Sequence, residues 1–244
     1  MRPLSGEMLL TVWETGAQEG YLGRILAMLS TSMPDRSSDQ LSKQTLHTTL
    51  LDLLRLRSIS FGPILEGFLL CPACDARLEF SLPVASVMED LERAVLALPQ
   101  QQRLGDTAFF IRPASLYDLV TVNIGSFLSA RKHLLARCIA SSDAHSEDDI
   151  LLALDEEIFE ELALDAFDRM EFATEVIVHL QCAECSITSS VDLDIARFLW
   201  AEVRHAATSL LGEVHELARA YGWAEASILA MSPNRRNAYL EMML

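Results

Sequence analysis

Long apolar runs are missing from this chain. Hydrophobic residues make up 50% of its 244 positions, yet charge interrupts every run before the roughly 20 residues that a membrane helix needs. No membrane partner is therefore expected. The first residues carry one Arg and a Pro, and Glu14 breaks the apolar stretch that follows. That is not the pattern of a secretion signal. Positive charge is scarce: 19 Lys and Arg face 35 Asp and Glu, for a net charge of −16. An acidic surface repels phosphate, so direct binding to DNA or RNA is not expected. The acidic runs at 146–149 and 155–161 read as solvated loop and helix face. The signatures of common enzyme classes are missing too. There is no Gly-rich phosphate loop, no Gly-x-Ser-x-Gly elbow and no His-Glu-x-x-His pair, and together these absences argue against an enzyme.

What is present is enough apolar material, at this length, to bury one large domain or two small ones. Five cysteines without a secretion signal imply reduced thiols in a cytosol. Cys138 stands alone in an apolar helical stretch and is expected to be buried. The other four form two Cys-x-x-Cys pairs, Cys71 with Cys74 and Cys182 with Cys185.

Each pair interrupts a β-rich stretch. Residues 64–84 read ILEGFLLCPACDARLEFSLPV, and residues 175–194 read EVIVHLQCAECSITSSVDLD. Two matched strand–knuckle–strand units point to one shared metal site with Cys71, Cys74, Cys182 and Cys185 as ligands. Structural zinc takes four ligands tetrahedrally, and a Cys-x-x-Cys turn puts two sulfurs on one side. Cys182 follows Cys74 by 108 positions. That distance is no obstacle, because closure entropy grows slowly with loop length. Such a site would tie the two halves of the chain together and clamp a helical part between them.

The alternative is a thiol-disulfide redox protein, since Cys71-Pro72-Ala73-Cys74 resembles a thioredoxin-type motif. That chemistry wants the first Cys at a helix N-terminus, whereas 75–82 reads as strand. His179, three positions before Cys182, is a possible ligand but is expected to be an exposed strand position. His205 and His215 lie off the apolar stripe of their helix and read as surface. Glu156, Glu157, Glu160 and Glu161 form no recognisable metal box with them.

The rest of the pattern is helical, so the expected fold is mainly α with two small β-hairpin zinc knuckles (α+β), its helical parts joined by the shared site. The expected parts are an N-terminal helical region (1–63), the first knuckle hairpin (64–84), a middle helical region (85–140), a linker (141–149), an acidic helix (150–174), the second knuckle hairpin (175–193) and C-terminal helices (194–244). Within them, 37–57 reads as one long helix with a broad Leu face. The apolar spacing predicts a helix over 84–98, and 100–106 reads as a polar loop. A strand is expected at 108–111, and Ser115 as the cap of a helix reaching Asn123. A helix over 125–140 would turn Phe127, Leu128, Leu134, Leu135 and Ile139 inward. A helix over 156–170 would do so with Ile158, Phe159, Leu162 and Phe167. The longest helix, 194–221, carries apolar residues every three or four positions. Gly222 suits its C-terminal cap. Ser232-Pro233 suits a cap followed by Pro at the first helical position.

One run resembles a known family. It comprises Asp194-Ile195-Ala196-Arg197-Phe198-Leu199-Trp200-Ala201-Glu202, then 213–223 (EVHELARAYGW) and 228–241 (ILAMSPNRRNAYLE). It is similar to the C-terminal signature of a family found in contractile phage-tail-like and extracellular contractile injection system gene clusters, which resembles the T-even bacteriophage baseplate protein. Leu9–Glu14, Phe61-Gly62, the first knuckle, Phe110-Ile111-Arg112-Pro113 and Leu116-Tyr117-Asp118-Leu119 fit the same resemblance. The second knuckle departs from it, with Ser186 where the family often has Gly. The acidic helix over 155–170 departs as well.

The resemblance implies a structural or assembly protein of a baseplate, whose partners are other baseplate, hub or spike proteins of a contractile tail. It implies no catalytic residues. The place of action would be the cytoplasm, where such particles assemble, or the particle itself. Trp200, Trp223 and Tyr239 are candidate anchors for protein–protein interaction, with core packing the stronger reading for Trp200. Oligomeric state, copy number, direct partner, and phage versus injection system are not written in the sequence.

Overall fold

The computed structural model describes residues 1–97, 99, 101–122, 126–141, 146–171 and 174–243. The expected helix ends at Leu98 and Asn123, the expected helix start at Gly125, and positions 142–145 of the expected linker lie outside them.

The chain opens with α1 (Glu7–Ala17), α2 (Tyr21–Ser32), α3 (Ser38–Ser42) and α4 (Leu46–Phe61). A first hairpin, β1 (Ile64–Leu70) and β2 (Arg77–Pro83), runs straight into α5 (Val84–Leu96). A middle section follows: β3 (Gln102–Arg103), β4 (Phe109–Ile111), α6 (Leu116–Thr121), α7 (Phe127–Cys138), β5 (Ile139–Ser141), α8 (Glu147–Ala153) and α9 (Glu157–Glu171). A second hairpin, β6 (Ile177–Gln181) and β7 (Thr188–Asp192), leads into α10 (Ile195–Tyr221), α11 (Glu225–Leu229) and α12 (Pro233–Glu241). The protein is mainly α with small antiparallel hairpins, as the sequence predicts.

Two cores organise these elements. The larger joins both ends of the chain: Val12 of α1, Met28 and Leu29 of α2, Leu54 and Leu56 of α4, and Leu199 and Val203 of α10 are all completely buried in it. Each such side chain contributes about 1.5–3 kcal/mol by leaving water. Both hairpins root in this core, through Leu65 and Val176. The smaller core belongs to the middle section. Leu104, Ile111, Leu135, Cys138, Phe159 and Met170 pack there, beside the sheet of order β3-β4-β5. The two bodies meet where the Leu46 amide donates to the Ala114 carbonyl at 2.9 Å and Thr45 bridges to Ser115. A third, small cluster of Val214, Leu217 and Ile228 gathers α11 and α12 against the end of α10.

Three helix ends carry the expected chemistry. Gly222 closes α10 at φ 68, a conformation only Gly adopts freely; Asp194, expected as the first residue of that helix, instead caps it by accepting from the Arg197 amide. Ser232 caps α12 with Pro233 behind it. Ser115 and Asp118 form a reciprocal capping box on α6, which ends at Thr121.

Other expectations are corrected. The single helix over 37–57 is broken. Thr45 is extended, caps α4 and pairs with Ser115, so the helix cannot pass through it. The helix expected to reach 140 stops at Cys138, because Ile139 and Ala140 pair with Ile111 and Phe110 in the small sheet. The polar loop at 100–106 contributes β3 to that sheet. Phe127 and Leu128 are exposed rather than inward. On α9, Ile158 and Leu162 are exposed, and the buried face is Phe159, Ala163, Ala166 and Met170. The two alanines let α9 approach α7 and β4 closely, and that face wins over the bulkier one. Residues 146–149, expected as linker, hold the capping box and first turn of α8. The acidic segment 150–174 therefore contains two helices, α8 and α9, and not one.

Candidate metal centre

The two hairpins are built alike. Along every strand, exposed positions alternate with buried or half-buried ones, so each hairpin turns one largely apolar face inward. Each is closed at its base by one backbone bond of 2.8 Å, Val84 N–H to the Pro63 carbonyl and Leu193 N–H to the Val176 carbonyl. Each then feeds directly into a helix. Because both root in the same core, β2 lies beside β6 and the two tips meet.

At the tips the turns match bond for bond. Cys71 N–H donates to the Ala76 carbonyl at 2.8 Å, and Cys182 N–H to that of Ile187 at 2.9 Å. Asp75 N–H donates back to the Cys71 carbonyl, and Ser186 N–H to the Cys182 carbonyl, both at 2.9 Å. The residue after the second cysteine is left-handed in both, Asp75 at φ 57 and Ser186 at φ 60. Holding a non-glycine residue there costs about 1–2 kcal/mol. Ser186 thus keeps the turn without a glycine.

The four sulfurs converge. Cys71 and Cys185 are 3.6 Å apart, as are Cys74 and Cys182, and all four sulfur atoms lie within 4.8 Å of one another. A tetrahedral ion with metal–sulfur bonds of about 2.3 Å needs sulfur–sulfur edges of about 3.8 Å. The spacing therefore fits a four-thiolate ion. Cys71 and Cys182 are buried, whereas Cys74 is exposed and Cys185 half-buried, so the site faces water on one side. Leu69, Leu78 and Leu180 back its inner side.

The electrostatics also call for a cation. The Ala73 amide, with help from Cys74 N–H and the nearby thiols, pulls the Cys71 pKa down to about 7 against the effect of burial. The Ala76 amide works the same way on Cys74, but the thiols of Cys185, Cys182 and Cys71 together with burial outweigh it and push the pKa up to about 12. On Cys185 the Ile187 amide is likewise outweighed by burial and neighbouring thiols, and its pKa rises. One thiolate is well accommodated; further ones need a positive charge among them.

The structure thus brings together Cys71, Cys74, Cys182 and Cys185, and these four could hold a metal ion. His179 stays outside, exposed on β6 with its Nδ1 2.8 Å from the Ser190 hydroxyl. His205 and His215 are exposed on α10. Cys138 is buried in the smaller core, and burial pushes its thiol up to about 12. Cys71 directly follows β1, and no helix starts at it. Trp200 is core: its ring packs so tightly on α1 that a Cβ on Gly16 would sit 2.6 Å from it. Trp223 and Tyr239 stay half-buried, in an aromatic group with Tyr221.

One supporting residue was missed from sequence. Arg57, buried in the Leu-rich α4, donates from Nε and Nη2 to Glu202 of α10 at 3.1 and 2.8 Å and from Nη1 to the carbonyls of Gly62 and Ile64. It ties the root of the first hairpin to the helix that follows the second. A charge on the apolar side of a leucine helix was the available signal.

Comparison with protein families, with curated proteins and with solved structures finds no match to this chain. Among the described residues, no helix is long and apolar enough to cross a membrane.

Proposed function

We propose that this chain is a zinc-stabilised structural or assembly component of the baseplate of a contractile phage-tail-like particle, acting by binding rather than by catalysis. The observation that carries the metal part is the convergence of four thiols from two matched turns with spacing suited to a tetrahedral ion. Four thiolates favour a soft ion, and zinc is the common structural occupant of such a set. Cys71, Cys74, Cys182 and Cys185 would hold it. When bound, the ion supplies a cross-link between the N-terminal and C-terminal segments.

The baseplate part is supported by the resemblance along 194–241. Its Trp223 and Tyr239 lie in a partly exposed aromatic cluster with Tyr221, stacked at 4.5 Å and edge-on at 4.8 Å. Such clusters suit anchoring to another protein, and the partners we propose are hub, spike or other baseplate proteins.

Two measurements test this reading. Elemental analysis of the purified chain should find one zinc per molecule; iron, or no metal, would remove the zinc assignment. Quantitative mass spectrometry of purified contractile particles beside the lysate of the same cells tests the baseplate role. A fixed ratio to the spike and baseplate proteins marks a structural component. Abundance in lysate with absence from particles marks an assembly factor. If the chain neither enters particles nor changes their yield when deleted, the baseplate reading fails.

A further inference from the structure

A large cleft that holds none of the four thiols lies at the junction of the two bodies. It is an open cleft of about 1090 Å³ between the α3–α4 connection, the end of α5, and the segments around Arg112–Asp118 and Arg137. That volume is at the upper end for small-molecule sites. Its charge is opposite to that of the protein: Lys43, Arg112 and Arg137 line it against Asp118 and Glu147, within a chain of net charge −16.

The two arginines are not equivalent. Arg112 is fully committed. It donates to both oxygens of Asp118 at 2.8 and 3.0 Å, and to the carbonyls of Pro113 and Arg137 at 3.0 and 2.9 Å. Asp118 is saturated as well, because the backbone amide and the hydroxyl of Ser115 also donate to it. Arg137 has no such partner. Its side chain is 23% exposed, and its guanidinium comes no closer than 3.8 Å to the occupied Asp118. Its Nε is enclosed and meets no acceptor among the described residues. Its guanidinium lies 5.4 Å from the centre of the Tyr117 ring, and Lys43 lies 6.0 Å from the same ring. Two guanidinium groups thus share one carboxylate. The Arg137 guanidinium pairs with that carboxylate only at 3.8 Å, beyond hydrogen-bond distance, and lies against an aromatic ring. A buried donor left without an acceptor is costly, and a fork of N–H donors matches a carboxylate or phosphate.

We infer that this cleft binds a small organic oxyanion, a phosphate or a carboxylate, gripped by Arg137 beside Tyr117, with its apolar part against Leu96, Ile150 and Met170. The inference is independent of the metal centre and of the baseplate reading.

The test observes Arg137 directly in the folded wild-type chain. Its Nε–H resonance is identified by selective loss in Arg137→Lys, and the wild type is then titrated with inorganic phosphate and, separately, with acetate at constant ionic strength. A saturable shift of that resonance is expected with at least one of the two, and the better ligand distinguishes a phosphate from a carboxylate site. In Arg137→Gln, binding of that ion should weaken at least tenfold while the four-cysteine metal content stays unchanged. If neither ion moves the resonance, or if Arg137→Gln binds as well as wild type, the inference is overturned.

Discussion

The two bodies of this protein differ in how their chain is laid out. The middle body is drawn from 101–171, within which β4 pairs with β3 nearby and with β5 across α6 and α7 (Ile111 with Ile139, Phe109 with Ser141). The larger body joins α1–α5 to α10 across the whole of that insertion. Its contacts are between segments that wander far apart when unfolded, so it bears the larger closure entropy. The four thiols and the Arg57–Glu202 pair both span the same gap. The larger body has its cross-links where the chain is discontinuous; those of the middle body, such as Arg131–Glu160 and the Ala114 amide to Glu171, span shorter separations.

The largest effect should come from the thiols. Cys182→Ser should lose the metal, and freeing a cross-link across about 100 residues should cost about 4–5 kcal/mol, with the metal's own contribution lost in addition. Hydrogen exchange locates the damage: α4 and α10 should lose protection, while α7 and α9 keep most of theirs. Equal loss in both bodies would break the comparison.

Next is Arg57→Met. It leaves Glu202 without a partner and frees the root of the first hairpin, so urea unfolding should show about 3–5 kcal/mol of destabilisation. Metal content should not change, because the thiols are untouched.

Asp118→Asn acts at the junction instead, with an expected cost of about 2–3 kcal/mol as Arg112 loses its carboxylate. It also has a pH signature. Burial raises the Asp118 pKa, but the bonds from Arg112 and Ser115 outweigh it and hold the carboxyl below its ordinary 3.8. A carboxyl depressed in the fold stabilises above its unfolded value and loses that contribution as pH falls through the folded one. The wild type should therefore lose this part of its stability only below about pH 4, and that part of the acid limb should be missing in Asp118→Asn. A mutant with the full wild-type acid limb would assign it to other carboxylates.

The smallest effect has the opposite sign. Ser186→Gly relieves the left-handed strain in the second knuckle and should stabilise the protein by about 1 kcal/mol. Asp75→Gly should gain less, because Asp tolerates that conformation better. Equal gains in thermal melts would show that the two knuckles are strained alike.

Much of this was legible in one dimension. The paired cysteines inside β-rich runs announced two hairpins, and their matched spacing announced one site. Ser115, Gly222 and Ser232 marked helix ends, because capping depends on a few adjacent atoms. What failed was facing and pairing. Ile158 and Leu162 look more suited to a core than Ala163 and Ala166, yet they are exposed. Ile139 continues a helical pattern and is a strand, because Ile111 sits across from it. Thr45 interrupts a leucine helix only because Ser115 bridges to it.

The division follows the range of the forces. Turn geometry, capping and the presence of four ligands are settled within a few residues, so the sequence alone determined them. Whether the knuckles meet, which face of α9 is buried, and whether Arg57 and Arg137 find a carboxylate depend on segments brought together from far along the chain. Only the tertiary structure decided those, because burial and ion pairing are properties of neighbours in space.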